Sequence, residues 1–142
     1  MKIIRDIKQL DGTCYIEVLP GRYQGKCWNE DSIFFTEEDF GYLEKSIEHE
    51  YSNYDHYAFN EIPEGIWERI LGRLEGLLTE LHKESSIESM KTDIGFFFRC
   101  SEEELQQDYE INLAKLIVLI REFQEWINEQ LKRTKYISVL GI

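Results

Sequence analysis

The sequence predicts an α+β fold, a small antiparallel sheet packed against helices, on three observations. The N-terminal part alternates short apolar runs with turn residues. The rest repeats apolar residues at spacings of three and four. No Pro/Gly/Ser-rich linker separates the two parts. At 142 residues the chain has the length of one ordinary domain, 1–142, able to bury a core without disulfide or metal staples. An apolar share of 42% and an aromatic share of 13% supply that core and argue against disorder.

Residues 3–10 and 13–19 flank Asp11-Gly12, a dipeptide that tolerates the positive φ angles of a tight turn, and so predict an opening β-hairpin. In its second arm Cys14, Ile16 and Val18 fall on one face, with Thr13, Tyr15 and Glu17 on the other. Pro20-Gly21 ends the arm. Residues 23–28 and 32–35 predict two further strands around Asn29-Glu30-Asp31, completing a four-stranded meander.

Thr36 offers a helix cap, followed by Glu37, Glu38 and Asp39 where the helix dipole favours negative charge. Phe40, Leu43, Ile47 and Tyr51 then define a buried stripe, which places His49 on the solvated side with Glu38, Tyr42 and Lys45. Residues 52–62 have neither period and predict a loop. Pro63 suits the first turn of a second helix, whose apolar face runs from Ile66 to Leu81 and whose end lies near Lys83. Residues 84–93 read as a connection and 95–100 as a buried strand. Ser101 with Glu104 forms a capping-box pattern at the start of a third helix of about thirty residues, ~45 Å long. A last strand is expected over 136–140.

The longest purely apolar stretch, residues 116–120, is far short of the ~18 residues a membrane span requires. Charges at Lys2, Arg5 and Asp6 interrupt any signal-peptide core, so a cytoplasmic location is expected. Cys14, Cys27 and Cys100 are scattered, with no CxxC pair, and predict ordinary buried thiols rather than disulfides or zinc ligands. No GxSxG elbow, cysteine-nucleophile box or phosphate-cradling glycine loop occurs. No enzyme activity, cofactor or metal is expected. The residues with most potential for chemistry are His49 and His56, close to Glu48, Glu50, Asp55 and Glu61; they define an alternative reading as a hydrolase or metal enzyme.

Charge says more. Twenty-eight acids against sixteen Lys and Arg give a formal net charge of −12. Between residues 30 and 64 stand eleven acids (Glu30, Asp31, Glu37, Glu38, Asp39, Glu44, Glu48, Glu50, Asp55, Glu61 and Glu64) against Lys45 alone, a local net of −10. Such a field repels nucleic-acid phosphate and anionic lipid and attracts basic proteins. Aromatic residues interleave with these acids, and aromatics are the commonest interface anchors. The expected partner-binding residues are Glu38, Glu48, Asp55 and Glu61, with Tyr54 and Tyr57 as anchors. Tyr51, Phe59 and Trp67 are expected in the core. Glu102, Glu103, Glu104, Asp108 and Glu110 form a second acidic cluster.

In size, acidity and organisation, though not in a signature motif, the chain resembles the immunity proteins of bacterial toxin systems, including contact-dependent growth inhibition. That resemblance implies a protein that binds a basic, nuclease-type toxin and blocks its active site. An acidic adaptor or regulator of a cellular protein is the alternative from charge alone. Self-association is left open.

Overall fold

The computed structural model describes residues 1–83, 87–96 and 100–141. Its elements in chain order are β1 (Tyr15–Pro20), β2 (Ile33–Thr36), α1 (Glu37–Glu50), β3 (Phe59–Pro63), α2 (Glu64–His82), α3 (Ile87–Met90), α4 (Ser101–Gln107), α5 (Tyr109–Leu131) and β4 (Tyr136–Leu140). The α+β class predicted from the sequence is the class observed.

The sheet has four antiparallel strands in the order β2-β1-β4-β3. Its composition differs from the expected meander. The C-terminal strand β4 inserts beside β1, pairing Val18 with Val139, and β3 pairs outside it. Both edges of β1 are therefore filled, and residues 3–10 do not form the first arm of a hairpin. Asp6 instead accepts the Lys8 N–H and caps a single 3-10 turn at Ile7–Gln9. Ile4 makes an isolated bridge to Phe34 on the free edge of β2. Nor do residues 23–28 form a strand: Gly21, Gly25 and Trp28 all have positive φ, and the chain crosses the sheet as a loop.

One face of the sheet presents Ile16, Val18, Ile33, Phe35, Ile62, Ile137 and Val139 to the helices. There they join Phe40, Leu43 and Ile47 of α1, Trp67, Ile70 and Leu74 of α2, and Leu116, Ile120, Phe123 and Ile127 of α5 in the core. Trp67 is fully buried and its indole N–H donates to Ile137 O at 3.0 Å, which satisfies the ring's polar atom. At ~25 cal/mol per Å² of apolar surface removed from water, residues of this kind contribute about 1.5–3 kcal/mol each.

Helix α1 begins as predicted, with Thr36 Oγ1 accepting the Asp39 N–H at 3.1 Å. On its second side His49 is exposed as expected, but Tyr42 is buried and Glu38 and Lys45 are half-buried. The segment after α3 lies along it, so that Tyr42 is buried edge-on against Phe96 and Lys45 Nζ bonds to Lys91 O. Gly95 makes the approach feasible: a Cβ there would stand 2.2 Å from Gly41 O.

Further expectations are corrected. Phe59–Pro63 is a strand rather than loop, with Asn60 and Ile62 inward and Phe59 and Glu61 outward. The long C-terminal helix is broken at Asp108, whose φ of −121° and ψ of 59° leave the helical region and separate α4 from α5. Ser101 does not cap α4; it is the first helical residue, its buried hydroxyl has no partner among the described residues, and Glu104 N–H donates to Cys100 O. The connection over 84–93 contains the single turn α3. Of the strand expected over 95–100, Gly95 and Phe96 are not in a strand and 97–99 lie outside the described residues. No helix of the described residues is long and apolar enough to cross a membrane.

Candidate interaction surfaces

The six residues expected to bind a partner are distributed over three places. On α1, Glu37, Glu44 and Glu48 recur at spacings of seven and four, which puts them on one stripe. Facing this stripe is the 51–58 loop. Tyr54 O–H donates to Glu44 Oε1 at 2.6 Å, and the His56 ring lies between two carboxylates, Nδ1 against Glu44 and Nε2 3.3 Å from Glu37. Burial lowers the affinity of the His56 imidazole for its proton, but hydrogen bonds and charge from Glu44 and Glu37 outweigh it and the net shift is upward. Burial, followed by the Glu44 charge and hydrogen bond, pushes the Tyr54 phenol well above the usual range. Tyr54 is thus half-buried and fastened to α1, whereas Glu48 and Asp55 stand exposed beside it.

Carboxylates at both nitrogens favour the protonated form of the imidazole. Its structural effect is to clamp the loop to the helix. His49 is turned another way, with Nε2 3.2 Å from Thr92 O. Among the described residues no group of three or more His, Cys, Asp or Glu side chains is arranged to hold a metal ion.

Glu38 lies apart from that cluster, against α4. It lines one cleft with Glu104, and burial followed by this neighbour raises its pKa. Asp39 beside it pairs with the N-terminal amine at 3.8 Å. The second acidic cluster of the sequence therefore touches the first through Glu38 and Glu104.

The third place is the sheet face turned away from the helices, and it was the least visible in the sequence. Here Glu17, in the middle of β1, is only 3% exposed. Its carboxylate accepts the N–H groups of Trp28 and Asn29 at 2.6 and 2.9 Å, the Asn29 side-chain amide at 2.8 Å and the Ser32 hydroxyl at 2.7 Å. These bonds lay the 21–32 loop across the sheet. Trp28 stacks on Phe34, Tyr23 packs on Phe59, and Arg22 lies over the Tyr136 ring. Beside the loop remains a cleft of about 380 Å³ lined by Tyr15, Glu17, Trp28, Tyr57, Phe59 and Leu140, among others. Tyr57 is 68% exposed, Phe59 45% and Trp28 37%. Phe59, expected in the core, belongs instead to this surface, since it points outward from an edge strand. Glu61 follows it on the same face and accepts the Tyr23 N–H at 3.2 Å.

The cysteines also depart from expectation: all three are free, but Cys14 and Cys100 are exposed and Cys27 is half-buried in the cleft wall. They sit in loops or at a helix end rather than on the apolar side of an element. No family model, curated protein or solved structure matches the chain.

Proposed function

We propose that this chain is a binding protein of the immunity type, which neutralises a basic, nuclease-type toxin by occupying its phosphate-binding ground with an acidic surface. The observation that carries the reading is the exposed aromatic cleft, set in a chain of net charge −12. Exposed Tyr, Trp and Phe rings supply anchors, and surrounding carboxylates supply complementarity to Arg and Lys. A nuclease-type domain must hold phosphate and so is basic at its active site. Electrostatic steering between two such surfaces raises association rates by ~10- to 10³-fold. The protein would act in the cytoplasm of the producing cell, with no cofactor and no contact to nucleic acid or membrane.

The test is genetic and biochemical. The reading frame beside this one should encode a basic C-terminal domain that arrests growth when expressed alone. Co-expression of this chain should restore growth, and the two should co-purify. A neighbouring product that is not toxic, or a toxic one that this chain neither binds nor neutralises, contradicts the reading.

A further inference from the structure

We infer that the cleft on the outer face of the sheet receives an arginine side chain of the basic partner. The inference rests on the binding reading above and adds to it the place of contact and the chemistry recognised.

Glu17 carries the argument. It is almost completely buried, and its four hydrogen-bond donors are two backbone amides, a side-chain amide and a hydroxyl, all neutral. Among the described residues no Lys, Arg or His pairs with it. Buried carboxylates are ordinarily matched by a cation. Three of the donors go to Oε1 and one to Oε2. A carboxylate offers about two acceptor positions per oxygen, so Oε2 retains room for one more donor.

The walls fit the same occupant. Tyr15, Trp28, Tyr57 and Phe59 line the cleft, and planar guanidinium groups stack on such rings. Three of these rings have a carboxylate close by. Tyr15 O–H donates to Asp11, Tyr57 N–H donates to Asp55 Oδ1 at 2.9 Å, and Glu61 shares the outward face of β3 with Phe59. The loop's Arg22 is engaged 4.1 Å over the Tyr136 ring, and its Lys26 is exposed; neither lines the cleft. A second copy of this chain is a poor occupant because it brings the same net −12. Lysine fits less well than arginine, since a compact ammonium is strongly hydrated and cannot stack as a plane.

The full chain, labelled with ¹⁵N, is titrated in about 0.15 M salt with a blocked hexa-arginine peptide and, separately, with a hexa-lysine peptide. The arginine peptide should shift, saturably, the Trp28 indole signal and the amides of β1 and of Tyr57 and Phe59. The lysine peptide should bind the cleft at least ~3-fold more weakly. Tyr57→Ala, at a highly exposed position, should weaken arginine binding by ~5-fold, as should Trp28→Leu. Val118→Ala, at an exposed apolar position on α5, should leave it unchanged. The parent-like spectrum of each variant away from the substitution verifies its fold. Shifts confined to the amides of α1, or equal binding of the two peptides at the cleft, overturn the arginine site while leaving the acidic-surface reading intact. Absence of binding by both peptides together with failure to bind the toxic domain overturns both.

Discussion

The Ser32 hydroxyl donates to the Glu17 carboxylate at 2.7 Å on the sheet face remote from the helices. With Trp28 and Asn29 it makes one buried side chain the anchor of a twelve-residue loop between β1 and β2. Replacing Glu17 by Ala removes the acceptor and strands several donors at once. We expect a loss of unfolding free energy on the order of 3 kcal/mol, read from urea denaturation, with faster amide exchange at Trp28 and Asn29. An unchanged midpoint and unchanged exchange rates are inconsistent with this anchoring role.

Close backbone approaches give a second prediction. A Cβ at Gly95 would meet Gly41 O at 2.2 Å, and one at Gly141 would meet His56 O at 2.0 Å. In both places the obstructing atom is backbone, which does not swing aside. Gly95→Ala and Gly141→Ala should each destabilise by ~1–3 kcal/mol. Gly12→Ala, which meets nothing within 4 Å, should have little effect. Equal thermal midpoints for the three variants contradict the close packing of the 91–96 segment and of the C-terminus.

The His56 clamp makes a prediction about pH. Its folded-state pKa is raised above the unfolded value, ~6.5, so the proton is bound more tightly in the folded protein. The stability this contributes is fully present below the unfolded pKa and is lost as pH rises through the folded pKa. The stability difference between the parent and His56→Gln should therefore be largest in mildly acidic buffer and shrink toward alkaline pH. Denaturation midpoints of both proteins across that range provide the check; a gap that stays constant or widens with pH contradicts the clamp.

Free thiols should be reactive in the order of their surroundings. Cys14 and Cys100 are exposed, whereas burial, then the nearby Glu17 charge, raises the pKa of Cys27 and depletes its thiolate. Timed alkylation of the native protein with mass-spectrometric mapping should label Cys27 last. Labelling of Cys27 ahead of the others is incompatible with its place in the cleft wall.

Elements specified by neighbouring residues were legible in the sequence. The cap at Thr36, the stripe Phe40-Leu43-Ile47, the start of the second helix after Pro63 and the strand at Tyr136–Leu140 all follow from local patterns. Elements specified by distant pairing were not. Asp11-Gly12 is a good turn sequence, but a hairpin there competes with β4, whose Val139 reaches Val18 from the other end of the chain. The strand Phe59–Pro63 has a polar residue, Asn60, at an inward position; its side-chain amide finds Asp55 O, Ala58 O and Val139 O, partners no local pattern reveals.

The site was legible in part. The acid excess could be read directly, whereas the exposure of Tyr57 could not, since an aromatic in an aperiodic stretch suits a surface and a core equally. Glu17 read as an ordinary outward strand residue, because alternation gives its face and does not show that a loop covers it. Trp28 carried no signal of its own; its φ of 64° follows from the loop that Glu17 holds. Glu38, Tyr54 and Glu61 could not be separated by sequence distance, although they occupy three different surroundings.

The most direct test of the central claim is the salt dependence of association with a basic toxic domain of the kind proposed above. The parent is compared with a variant carrying Glu38→Gln, Glu48→Gln, Asp55→Asn and Glu61→Gln, which brings the net charge from −12 to −8 and retains side-chain size and hydrogen-bonding capacity. The account predicts that the variant folds, associates ~10-fold more slowly at low ionic strength and loses most of the salt dependence of the rate. Association at the parent's rate, with the parent's salt slope, would contradict recognition through the acidic surface.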